Sequence, residues 1–400
     1  MSRFRMPRGF TAWVTASIGA ELGAGVLGFA LTWVASGLGP TIASTVLTLT
    51  VAPSVVLGLL GGIVADRFGP RRVMIAGTLA LLTISAATAV AVTLWGTPAP
   101  LLLLVAVLIG TVSAFLRPAL GVFPRLFVDD DALGAAMARA GMASQLARTV
   151  APPLGGLLIG LIALSGVALL DVAGCAVMLL TLLLIRPPLE RAPARDTATL
   201  RGIVEGVTAA RRTGGVPALL GAVAIVAGAV IPAVVLGIPL AARERGWTAA
   251  EAGIIEAGWI AGGLVAGAWY AWRGTASAAW RPMTAGPIVV AAGLGILALA
   301  PTWTTAIAGT VVVGVGVVVF TAHLFPTYVL LAPTAMISRF QSLLILAQQA
   351  PQLLATLLIG LAVAAFGTGP MIAASAALAV AASLVVSADP SLRSRTTIAR

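Results

Sequence analysis

Three carboxylates stand inside apolar stretches where charge is disfavoured: Glu21, Asp171 and Glu256. A charged carboxylate at the centre of a spanning helix costs about 2.5–3.5 kcal/mol on insertion scales, so such residues face a cavity or a partner. Leaving water favours a carboxyl's neutral form, which makes all three candidates for proton coupling. Each also has a structural alternative. Glu21 can be satisfied by an arginine or a backbone amide, Glu256 can meet headgroups, and Asp171 can serve a helix N-terminus. Trp259 follows Glu256 by about one helical turn, so an aromatic ring and a carboxylate share a face.

A second polar set is uncharged. Gln341, Gln348 and Gln352 recur at helical spacing and present one face. With Trp259 they are expected to line a substrate cavity and hydrogen-bond a polar ligand; helix-to-helix hydrogen bonding is the alternative. Enzyme chemistry is not expected. A phosphate-binding glycine loop is missing, so ATP does not drive the protein. One His and one Cys, His323 and Cys175, support neither a metal cluster nor a catalytic triad. The expectation is no metal and no cofactor, with a proton gradient as the energy source.

A short turn connects two long apolar runs: Gly61-Gly62-Ile63-Val64-Ala65-Asp66-Arg67-Phe68-Gly69-Pro70-Arg71-Arg72. Its glycines let helices pack closely and the chain reverse. Its arginines hold it at a membrane surface and mark that surface as cytoplasmic. The stretch resembles the loop motif between helices 2 and 3 of the major facilitator superfamily, Gly-x-x-x-Asp-Arg-x-Gly followed by basic residues. Gly62, Asp66, Arg67 and Gly69 match in register, Arg71 and Arg72 supply the basic end, and Pro70 stands where the family often has its first basic residue. Arg117, near the inner end of the fourth run, is expected to join this gating motif through an ion pair with Asp66.

Arg148 precedes Ala151-Pro152-Pro153-Leu154-Gly155-Gly156, which resembles the fifth-helix motif of the superfamily's exporter branch. Pro152, Gly155 and Gly156 match it, and the implied helix bends at proline and packs tightly at glycine. Phe123-Pro124-Arg125-Leu126 with Leu133-Gly134-Ala135-Ala136-Met137, and Glu205-Gly206 through Arg211-Arg212, are similar to the loop and linker of the macrolide-efflux and siderophore-exporter-like branch. That resemblance also aligns Glu21 and Asp171 with acidic positions in helices one and six.

The elements that must position these residues follow from composition. The chain is 60% hydrophobic and 9% charged, with a net charge of +11. No soluble globule of this length needs so much apolar surface. Nucleic acid is not expected as a partner, because the arginines lie between apolar runs rather than on one patch. Runs long enough to span a bilayer lie near 10–36, 43–65, 73–95, 99–123, 138–163, 167–186, 217–241, 250–272, 283–300, 303–325, 340–366 and 369–388. Twenty arginines then fall on the side of the Asp66 turn and two, Arg243 and Arg245, on the other. Adding or dropping one helix destroys that asymmetry.

The expected fold is an all-α membrane protein of 12 transmembrane helices in two pseudo-symmetric six-helix bundles, the major facilitator fold. Residues 1–186 form the first bundle and 217–400 the second. Residues 187–216 form a cytoplasmic linker whose Leu200–Arg212 segment is an amphipathic helix, with Leu200, Ile203, Val204 and Val207 on its apolar face. Arg273-Gly274 and Arg281 form a worn copy of the first turn motif, as paired halves require. The resemblance implies a multi-pass cell-membrane protein with cytoplasmic termini, working as a monomer among membrane lipids. It would couple protons to export of an amphipathic small molecule such as an antibiotic or secondary metabolite. A proton-coupled nutrient symporter and a non-transporting sensor or scaffold are the competing readings.

Overall fold

The computed structural model describes residues 6–188, 200–274, 276, 278–333 and 336–395. The helices are α1 (Arg8–Gly37), α2 (Pro40–Phe68), α3 (Pro70–Trp95), α4 (Ala99–Val122), α5 (Asp130–Leu184), α6 (Leu200–Arg212), α7 (Val216–Val235), α8 (Gly237–Glu244), α9 (Ala249–Arg273), α10 (Trp280–Leu299), α11 (Trp303–Leu331), α12 (Ile337–Phe366), α13 (Thr368–Ala388) and α14 (Pro390–Arg395). Among the described residues there are no strands. Among the described residues, eleven helices are long and apolar enough to cross a membrane. Helices are the open-chain solution there, because hydrocarbon offers no partner to a free backbone amide.

One of the eleven, α5, is 55 residues long. Straight, it would run roughly 80 Å, more than twice a bilayer's hydrocarbon thickness. It is broken at Ala163, whose φ of 54° and ψ of −178° leave the helical region. The two pieces match the expected fifth and sixth runs, which accounts for twelve spans against eleven continuous helices. The break falls where the fifth and sixth runs were expected to part, between 163 and 167, and the helix continues through Pro152 and Pro153. A β-carbon at this φ and ψ is strained, on the order of 1–3 kcal/mol. Ala163→Gly is therefore expected to raise the unfolding midpoint of the purified protein. A lowered midpoint would show that the alanine is unstrained.

The chain divides into two compact units, Met1–Arg195 with Thr248–Gly253, and Asp196–Trp247 with Ile254–Arg400. In the first, an aromatic cluster closes the end that carries the α2–α3 turn. Trp13 packs on Phe123 with ring centroids 5.2 Å apart, and Phe123 on Phe127 at 5.3 Å. Phe123–Leu126 form a 3-10 turn that tucks these rings under α1. Its bounds are those of the stretch singled out as a loop resemblance.

In the second unit, α6 has the bounds expected of the linker helix. Gly206 and Ala210, one turn apart, are buried against the unit, and Glu205 pairs with Arg339 at 2.9 Å. Val207 is 37% exposed. The side chains at 200–204 lie outside the described residues.

Candidate functional site

In the first unit the carboxylates flank α1. Glu21 is half-buried and accepts a hydrogen bond from the Ser144 hydroxyl of α5. Gly23 lies two residues on, roughly on the opposite face of the helix. There α5 returns after its break, and a β-carbon on Gly23 would sit 2.9 Å from Asp171 Oδ1. Asp171 is 3% exposed and accepts from the Ser85 hydroxyl of α3 at 2.6 Å. Its Oδ1 has no hydrogen-bond partner among the described residues. The alternative of Asp171 as a helix N-terminal charge is thus set aside: it sits mid-helix, between α1 and α3. Glu21 and Asp171 are separated by the body of α1 and do not form one site.

The α2–α3 turn is built as its residues require. Gly69 has φ 87°, a left-handed value that suits glycine, and Pro70 begins α3 with its φ already helical. Gly62 is half-buried, while Asp66, Arg67 and Arg72 are exposed. Arg71 turns inward. Its Nη2 donates to the carbonyls of Leu182 at 2.8 Å and Leu183 at 3.2 Å, and its Nε to Ile185 at 3.2 Å. These are carbonyls freed where α5 ends, so a cation caps the negative end of a helix.

The expected ion pair between Asp66 and Arg117 is absent among the described residues. The reason is angular. Gly61 of α2 meets α4 at Ala114 and Phe115. Asp66 comes about 140° further round α2 and is exposed.

Arg148 is exposed and one turn beyond Ser144, so it shares the wall of α5 that faces Glu21. Pro152, Gly155 and Gly156 are buried. A β-carbon on Gly155 would come within 3.1 Å of Phe29 on α1, so this glycine sets the approach of α1 and α5. Gly156 does the same against the backbone of Ala249, in the Thr248–Gly253 segment that belongs to the first unit.

In the second unit, Glu256 is half-buried on α9 with Trp259 one turn on, also half-buried. No hydrogen bond or ion pair reaches Glu256 among the described residues. On α12, Gln348 and Gln352 are half-buried and Gln341 is exposed. Their amides make no hydrogen bond to a neighbouring helix among the described residues, which leaves them free for a ligand. Thr356 does bond to the Gln352 carbonyl, but that is a contact within the helix.

Several polar groups outside the expected site have structural roles. Arg245 donates to the Leu297 and Ala298 carbonyls at 3.1 and 2.7 Å, capping α10, and stacks 5.1 Å from the Trp247 ring. Partial burial lowers its guanidinium from the ordinary value, and the adjacent Glu244 offsets part of that shift. Glu244 accepts from the Thr368 amide at 3.2 Å and from its hydroxyl, capping the start of α13. His323 Nε2 accepts the Ala276 amide at 3.0 Å while Nδ1 faces the Val319 carbonyl, so the ring ties the α9–α10 connection to α11. Ser144 and Ser85 were missed because a serine in an apolar helix carries no signal until its partner is known.

Comparison with known proteins gives a consistent picture of the fold. The family model described as Major Facilitator Superfamily matches residues 14–356. No curated protein sequence matches. A crystal structure of a POT peptide transporter superposes with a TM-score of 0.75 at 16% identity, covering 99% of this chain and 97% of that one. A bacterial homologue of the iron transporter ferroportin, in the inward-facing state, gives 0.74 at 14% identity, covering 95% and 98%. A bacterial homologue of the human lysosomal transporter Spinster gives 0.66 at 13%, covering 98% of each. At these identities the structures are similar in fold alone.

Proposed function

This chain belongs to the major facilitator superfamily, and from that premise we propose that it is a proton-coupled exporter of an amphipathic small molecule. It is a multi-pass membrane protein and a transporter, not an enzyme. In our reading it works by alternating access as a monomer, with both termini cytoplasmic. The observation that carries the coupling is Glu21. It stands within an apolar helix, half-buried, with one serine hydroxyl for company. An ionised carboxylate offers about four acceptor sites, so a single donor leaves it well short of full solvation. A proton that arrives and leaves is the simplest chemistry such a group can do. Glu256, with no partner at all among the described residues, supports a second proton site. Asp171, wedged between α1 and α3, remains a third candidate. The half-buried glutamines Gln348 and Gln352, with Trp259, are the groups we assign to cargo in the second unit.

Proteoliposomes of defined orientation test the reading. An imposed pH gradient should drive fluorescent amphipathic compounds, taken as a panel of neutral, cationic and anionic dyes, in the direction opposite to proton flow. A protonophore should abolish this. Movement in the same direction as protons would make the protein a symporter, and movement indifferent to the protonophore would remove proton coupling.

A further inference from the structure

The packing of α1 on the second arm of α5 is close at two points and open between them. A β-carbon on Gly9 would come within 3.1 Å of the Ile185 side chain, and one on Gly174 within 2.8 Å of the Gly19 carbonyl. The two helices therefore run antiparallel, pinned at both points. Between the pins α1 carries the small residues Ala12 and Ala16, which with Val177 of α5 leave space unfilled. What remains is a groove of about 540 Å³. Arg8 stands at its mouth, Thr11 and Thr15 follow inward along α1, and Thr181 is on its α5 wall. Thr11, Ala12, Thr15 and Val177 are exposed, so the groove opens outward from the helix pair.

The groove is separate from the proton chemistry. Ala12 and Glu21 are nine residues apart, so they leave opposite sides of α1. It lies at the end of the unit where Arg71 binds the last carbonyls of α5. Its polar groups differ in kind. Arg8 is exposed, has no carboxylate partner among the described residues, and offers donors. The hydroxyls of Thr11, Thr15 and Thr181 donate to backbone carbonyls four residues before them, at 3.4, 3.0 and 2.7 Å. Their remaining capacity is to accept. No acidic side chain lines the groove among the described residues.

A ligand that fits these features has a phosphate for Arg8, hydroxyl donors for the threonine oxygens, and a hydrocarbon chain for the alanine and valine floor. Guanidinium groups match phosphate oxygens in bidentate geometry, and basic clefts between spanning helices at the cytoplasmic face suit anionic headgroups. We propose that this groove holds a phosphatidylglycerol-type lipid, an anionic phospholipid with a hydroxylated headgroup. The outward opening makes the surrounding bilayer its source. From Arg8 to Ala16 the groove follows α1 for about 12 Å, enough for the phosphate, the glycerol and the start of an acyl chain. Such a site requires neither a particular cargo nor proton coupling.

Binding is the readout of the test. Full-length protein, delipidated in dodecyl maltoside, is melted with phosphatidylglycerol or with phosphatidylcholine of identical acyl chains. Phosphatidylglycerol at saturation should raise the midpoint by about 3 °C or more above the phosphatidylcholine value. Arg8→Gln should lose that difference and keep the lipid-free midpoint, because the side chain is exposed. Ala12→Trp, which puts an indole into the groove from an exposed position, should lose the difference too. Equal shifts with the two lipids, zero included, or a difference retained in either variant would overturn the proposal. So would a lowered lipid-free midpoint in Arg8→Gln, since the arginine would then be structural. A shift with glycerol 3-phosphate alone would make the groove a site for a soluble phosphate and overturn the lipid assignment.

Discussion

Arg71→Ala is expected to destabilise the protein by about 3 kcal/mol, whereas Arg72→Ala stays within about 0.5 kcal/mol. The two arginines are neighbours in one turn motif, and their types alone would treat them alike. The structure separates them. Arg71 makes three charge-assisted bonds to carbonyls at the end of α5, and Arg72 is exposed. Bonds to a charged group contribute about 1.5–3 kcal/mol each, and one nitrogen shared between two carbonyls keeps the sum at the low end. The interaction with the helix dipole adds about 0.3–1 kcal/mol. Thermal unfolding of the two variants in the same detergent is the check. Equal losses would mean that Arg71 contributes only surface charge.

Glu21→Gln is expected to lower proton-driven transport by about tenfold or more, a rise of about 1.4 kcal/mol or more in the barrier, with little change in stability. A glutamine keeps an oxygen to accept the Ser144 hydroxyl, so the contact between α1 and α5 survives. What it cannot do is carry a proton. Ser144→Ala supplies the contrast. It removes the hydrogen bond and leaves the carboxyl, so it should leave proton coupling in place. If Glu21→Gln transports at the parent rate with its pH dependence intact, the coupling group is elsewhere, and Glu256→Gln becomes the next variant to measure.

Much of this protein is visible in its sequence because a bilayer asks so little of it locally. Twenty or so apolar residues, then a turn with arginine, glycine or proline, is a complete instruction for one span. The bounds of α6 were legible too, since its periodicity and flanking breakers are local. The place where the fifth and sixth runs part, 163–167, was legible as well; what was not is that one alanine, Ala163, makes the turn while the helix passes through Pro152 and Pro153. The strain there is held by packing that no local pattern encodes.

The amino-acid order by itself determined the number of spans, the turn that organises the first half and the presence of carboxylates where oil forbids them, because each is a property of a short stretch. Tertiary structure alone decided what those groups touch. It put Glu21 and Asp171 on opposite flanks of α1, gave Arg71 a helix to cap and denied Asp66 its expected partner. Each of these depends on the rotation of one helix about its axis relative to the next, and that rotation is fixed by where glycines let backbones approach.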